Sequence, residues 1–118
     1  MGGTAPAGVG RTALLMAALR VRERARPDRL FDDRLAEAFV SAANGTGDTA
    51  PSALLPDGAA DFLAIRTRFF DDEAQAACAA GIRQLVLLGA GLDSRAFRLD
   101  WPPGVRLFEV DLPGLFAF

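Results

Sequence analysis

The chain has 118 residues, 51% of them hydrophobic, with 13 basic and 15 acidic side chains and a net charge of −2. That is the length of one modest domain with ample apolar mass for a packed interior, which excludes a pair of independent domains and overall disorder. The charges are interspersed rather than grouped, so neither nucleic acid nor an anionic membrane surface is an implied partner.

Residue types narrow the chemistry further. Histidine and tyrosine are absent, which argues against a metal site, metal-assisted hydrolysis and Ser-His-Asp catalysis. The single cysteine, Cys78 in "QAACAAG", reads as a small buried residue of an alanine-rich helix. With no intramolecular disulfide available, the expected setting is cytoplasmic.

Residues 1–10 contain four glycines and a proline and are expected to form a flexible arm, leaving 11–118 as the folded portion. "TALLMAAL" is apolar but is followed at once by "RVRER", where a signal peptide would need a small-residue cleavage site. The run is also much shorter than the ~20 residues that span a bilayer. From Thr12, a plausible N-cap, to about Arg24 the residues favour helix, with Leu14, Leu15 and Leu19 near helical spacing. Pro27 ends that helix.

"RPDRLFDDRLAEAFV" (26–40) predicts a turn and a second short helix, capped by Asp32 or Asp33, with Leu35, Phe39 and Ala36 or Ala38 inward. Residues 41–52 read as a loop. The longest helix follows, capped by Asp57 or Asp61 and stopped by Gly81. Phe62, Ile65 and Phe69 share a face there and, with Phe70, are expected in the core; Asp71, Asp72 and Glu73 are expected on its polar side.

"QLVLLG" (84–89) is a short, continuously apolar run, which suits a strand covered on both faces in a parallel sheet. "RAFRLDW" predicts a brief helix or turn, with Trp101 as a lid over a loop. "VRLFEVD" (105–111) predicts a second strand ending in acid, and Pro113 takes a first helical position. The expected class is α/β: an incomplete doubly wound, Rossmann-like sheet, with N-terminal helices and the first two parallel strands. Such sheets usually carry about five or six strands, so the chain is expected to be part of a longer protein, or to self-associate through an open sheet edge.

Gly89 and Gly91 stand at the carboxyl end of the first strand, where the absence of a Cβ lets backbone approach a ligand. Asp111 ends the next strand 20 residues after Gly91, a spacing at which a carboxylate can accept both hydroxyls of a ribose. G-x-G alone is equally compatible with a tight turn, and the distal acid is what adds weight to a ligand. A dinucleotide fits less well: Ser94 stands at the third glycine position, and Asp93 puts negative charge where a pyrophosphate would sit. A ligand with a cationic centre and no phosphate suits the loop better, and S-adenosyl-L-methionine has that character. Asp93 and Arg95 read as loop-fixing residues, and Glu109 as structural.

The runs "TALLMAALRVRERARPDRLFDDRLAEAF", "IRTRFFDD", "GIRQLVLLGAGLDSRAFRLDWPPG" and "LFEVDLP" resemble, in that order, the N-terminal half of the leucine carboxyl methyltransferase-like family. The resemblance covers nearly the whole chain from about residue 9. It implies S-adenosyl-L-methionine-dependent O-methyl transfer to a carboxylate or hydroxyl of a small-molecule or carboxylate-bearing substrate, by in-line displacement. It places Gly89, Ala90 and Gly91 against the methionine part of the cofactor and Asp111 on the ribose. It puts Arg68, or alternatively Arg66, on the cofactor carboxylate. No catalytic residue proper is nominated. Two other readings stay open on the residues alone: an NAD-type oxidoreductase portion, and an inactive remnant or interaction module.

Overall fold

The structure, a computed structural model, describes residues 9–44 and 56–117. Three helices, α1 (Val9–Arg24), α2 (Arg34–Asn44) and α3 (Ala59–Ala79), precede two strands, β1 (Gln84–Leu88) and β2 (Arg106–Val110). One-turn helices α4 (Arg95–Arg98) and α5 (Pro113–Phe116) follow the strands. The strands pair in parallel, with Leu85 opposite Leu107 and Leu88 opposite Val110.

Helix α1 is under way by Val9, so Thr12 lies inside it and does not cap it. The alanine, leucine and methionine neighbours propagate helix through a single β-branched residue. Most of the expected arm, residues 1–8, lies outside the described residues. The second helix begins at Arg34, directly after the aspartates expected to cap it. Asp33 Oδ1 accepts the Ala36 N–H (2.9 Å), a side-chain N-cap that sets the start of α2. Asp32 instead pairs with Arg24 (2.6 Å). Helix α2 then runs to Asn44, through the beginning of the stretch expected to be loop, because Ala43 is drawn into the core. The remainder of that stretch lies outside the described residues.

Helix α3 begins after Gly58, which is left-handed (φ 81°), with no side-chain cap from Asp57 or Asp61. Asp61 reaches back to Arg26 (3.2 Å). At the other end Gly81 (φ 105°) donates to the Cys78 carbonyl and Ile82 N–H to that of Ala77, a paired closure that needs a left-handed residue.

The facing of α3 reverses the expectation. Its buried residues are Ala64, Thr67, Asp71 and Cys78, at helical spacing, whereas Phe62 is 68% exposed and Ile65, Phe69 and Phe70 are exposed with it. Only one stripe of a helix can face inward, and here the stripe carrying Asp71 does, because that carboxylate is needed by two buried arginines described below. The aromatic side is left outward, where Phe69 and Phe70 meet edge to face (5.5 Å).

The sheet is likewise barer than a continuously apolar strand implied. Both strands alternate exposed and half-buried positions. Leu88, at 80% exposure, shares the outward face with Val86, Phe108 and Val110. The described helices cover one face of the ribbon at most. The core lies elsewhere: Ala13 and Leu14 of α1, Ala43 of α2, Leu92 and Leu115 are buried together, with Phe39 against them. Leu92 belongs to the loop after β1, so this core anchors that loop directly. No described helix is long and apolar enough to cross a membrane.

Candidate functional site

The strands end one residue short of their predicted limits because Gly89 and Asp111 leave the ladder to build a loop. Gly89 N–H and Ala90 N–H both donate to the Val110 carbonyl (2.8 and 3.2 Å), folding the chain over the end of β2. Gly91 N–H then donates to Asp111 Oδ2 (2.7 Å), and Leu112 N–H to Asp111 Oδ1 (2.7 Å). The glycine loop and the strand-ending acid therefore meet, across the 20 residues between them. Each carboxylate oxygen has two lone pairs, so both retain acceptor capacity after binding one N–H.

The two glycines are required for different reasons. Gly89 (φ 61°) faces open space, so its constraint is backbone conformation and what can approach it. Gly91 (φ 56°) also lies against α1, where an added Cβ would stand 3.2 Å from that of Ala13.

Past Gly91, three consecutive residues are each tethered. Arg20 Nη2 donates to the Leu92 carbonyl (2.5 Å) while its Nε donates to Asp33 Oδ2 (2.7 Å). Ser94 Oγ donates to the same Asp33 oxygen (2.5 Å). Asp93 accepts the Arg95 N–H (2.8 Å) and its guanidinium (2.9 Å), the loop-fixing pair the sequence suggested. Arg95 continues to Asp71 on α3 (2.7 Å), which Arg98 also grips (2.6 and 3.0 Å). Arg98 lies over the Phe31 ring, and Trp101 Nε1 pins α4 through the Ala96 carbonyl (3.2 Å). Burial pushes the Asp33 carboxyl up, but donors from Ser94, Ala36 and Arg20 together outweigh it and hold the group below its ordinary value.

Asp71 is thus a correction: expected on a solvated face, it is 3% exposed and joins α3 to α4. Arg20, Asp33 and Ser94 were not singled out as site residues by sequence reasoning. One signal existed for Arg20, which continues the buried stripe of Ala13 and Ala17 at helical spacing; a charge in such a stripe demands a partner.

The nominated arginines lie on α3, the helix that also carries Asp71, and bond to other partners. Arg68 pairs with Asp72 (2.9 Å) and donates to the Leu30 carbonyl (2.9 Å). It flanks the buried stripe, adjacent to Thr67 and three residues before Asp71. Arg66 stacks on Phe70 (5.2 Å) on the outward side.

Glu109 is a half-buried residue of β2, two residues before Asp111. Its Oε1 is buried without a partner among the described residues. Burial, reinforced by the nearby Asp93 charge, raises its carboxyl above the ordinary value. Folding therefore favours the protonated form. The associated stability is present below the unfolded-state value and is lost as pH rises through the folded one. Glu109→Gln is accordingly expected to raise stability at neutral pH by up to about 1 kcal/mol, with the gain disappearing in urea melts below about pH 4. A variant no more stable at pH 7 would show the charge to be already compensated.

Comparison with known proteins bears on the family. The model of the leucine carboxyl methyltransferase family matches residues 13–118. A protein of Parafrankia sp. (strain EAN1pec), named "Putative S-adenosyl-L-methionine-dependent methyltransferase", is 59% identical over 95% of this chain and 38% of its own length. Proteins of the same description from Frankia alni and Saccharopolyspora erythraea are 58% and 48% identical, over 96% and 94% of the chain and 41% and 40% of their own lengths. The chain spans about two fifths of the length of these relatives. A match that starts within α1 and runs through residue 118 takes in every later element of the fold, and on it the chain belongs to the leucine carboxyl methyltransferase family.

Proposed function

We propose that this chain carries the cofactor-binding half of an S-adenosyl-L-methionine-dependent O-methyltransferase, with residues 11–118 as the N-terminal portion of one Rossmann-like domain. The observation that carries the reading is the 2.7 Å contact between Gly91 N–H and Asp111 Oδ2, which brings a glycine-flanked loop and a ribose-type acceptor to one place. The bare face of the sheet, and the length by which relatives exceed this chain, support the rest of the domain lying outside it.

The residues fit that cofactor. Gly89, Ala90 and Gly91 offer an open backbone surface for its methionine part, and the spare lone pairs of Asp111 suit vicinal hydroxyls. Of the two arginines, Arg68 is the better placed for a terminal carboxylate. It flanks the inward stripe and holds its guanidinium with an exposed pair, one that is readily exchanged for another carboxylate. Arg66, stacked on the outward side, is the weaker candidate. A pyrophosphate is opposed by Asp93, which already occupies the first N–H of α4 and adds negative charge there.

S-adenosyl-L-methionine supplies an electrophilic methyl group on sulfonium. Around it, this chain's residues bind and orient, the two contributions that in-line methyl transfer chiefly needs. The acceptor would present a carboxylate or hydroxyl oxygen. Calorimetric titration of the chain with S-adenosyl-L-methionine and, separately, with NAD tests the reading. Saturable binding of the former alone is expected, and binding of NAD in its place would overturn it.

A further inference from the structure

We propose that Asp33 is a positioning residue for the ligand loop, acting across the fold through Ser94 and Arg20. Its relevance to a cofactor rests on the function proposed above; its relevance to the loop does not. The carboxylate is fully buried (0% exposed) and every bond it makes has a structural destination. Oδ1 starts α2 at Ala36 N–H. Oδ2 receives Ser94 Oγ, 61 residues away, and Arg20 Nε, which orients the guanidinium so that Nη2 holds the Leu92 carbonyl.

Backbone bonds close the near side of the loop, from Gly89 and Ala90 N–H to the Val110 carbonyl and from Asp93 N–H to that of Ala90, but its far side depends on side chains. Gly89 and Gly91 have no side chains, and Ala90 has no polar group. Leu92 contributes an apolar anchor in the core but leaves the direction of its peptide free. Left-handed conformations at Gly89 and Gly91 are accessible to glycine but not enforced by it, and an unfolded or mobile loop would sample many others. The direction of the Gly91 N–H towards Asp111 is therefore set by its neighbours. Arg20 fixes the Leu92–Asp93 peptide, two peptide units past the one that carries this N–H, Ser94 fixes the loop's far end, and both report to one carboxylate at the junction of α1 and α2. Binding at the loop is thereby linked to the packing of the two N-terminal helices.

The test uses the full chain and two variants, chosen because Asp33→Ala would also uncap α2. Arg20→Lys keeps the charge beside Asp33 but has no fork to span both Asp33 and the Leu92 carbonyl. Ser94→Ala removes the hydroxyl without adding bulk. Native-state amide exchange is followed by NMR at Gly91 N–H and at interior amides of α3, alongside titration with S-adenosyl-L-methionine. In both variants Gly91 is expected to exchange about tenfold faster, with α3 protection retained, and affinity for S-adenosyl-L-methionine to fall about tenfold. Unchanged exchange at Gly91, or equal acceleration at Gly91 and α3, would overturn the proposal, since the network would then be idle at the loop or merely part of global stability. If exchange at Gly91 rises selectively while the parent chain binds no S-adenosyl-L-methionine, the positioning role stands and the proposed function falls.

Discussion

Asp71→Ala is expected to cost about 3–5 kcal/mol of folding stability, the usual penalty for removing one partner of a buried ion pair. The carboxylate accepts Arg95 Nε at 2.7 Å and Arg98 Nη1 at 2.6 Å, and both arginine side chains are only 10% exposed. Truncation leaves two desolvated guanidinia facing an empty site, with only the loop-borne Asp93 left as a carboxylate for Arg95. Against a total of about 5–15 kcal/mol for a domain, that loss takes a large share and shows as a marked fall in the urea midpoint. The neighbouring Asp72→Ala provides the contrast. Its pair with Arg68 is half exposed on both sides, and its loss is expected to change stability by no more than about 0.5 kcal/mol. Equal effects at the two positions would refute the assignment of Asp71 to the interior.

Asp111→Ala is expected to weaken S-adenosyl-L-methionine binding at least about 100-fold, or ~2.7 kcal/mol. Two losses combine: the acceptors proposed for the ribose hydroxyls, and the anchor that aims Gly91 N–H. Hydrogen bonds to a charged group are worth ~1.5–3 kcal/mol each, so two suffice for that figure. Asp111→Asn keeps one acceptor oxygen but turns a donor towards either an N–H or a hydroxyl, and an intermediate loss of about tenfold is expected. Titration calorimetry on folded variants reads both. An Asp111→Ala chain that binds as tightly as the parent would remove the carboxylate from the site, whatever its place beside the loop.

The order of helices and strands, the Gly81 stop, the Asp33 cap, the buried Cys78 and the first-turn proline of α5 were legible because each is a local preference. Capping, chain reversal and hydrophobic run length act over a few residues, and the sequence carries them in plain form. The meeting of Gly91 and Asp111 was legible for a related reason. A strand, a short helix and a parallel strand bring the two strand ends side by side, so a spacing along the chain becomes a proximity in space.

The orientation of α3 was a different matter. Phe62, Ile65 and Phe69 form as good an apolar stripe as any on the chain, and periodicity alone puts them inward. What decided otherwise was the demand of Arg95 and Arg98 for a buried carboxylate, a pairing made 24 and 27 residues away from Asp71. Hydrophobic spacing identifies the faces of a helix, yet which face wins depends on what the rest of the chain has left unpaired.

Local sequence was enough for the order and type of the backbone elements, though not for all their limits, and for a glycine-flanked loop standing opposite an acid at the strand ends. The long-range anchors of that loop emerge only on folding, because Arg20, Asp33, Ser94 and Asp71 lie on four separate segments and no local pattern relates them. Their bonds form only after α1, α2 and α3 have packed, when burial removes water as the competing partner and makes each charge dependent on one specific neighbour.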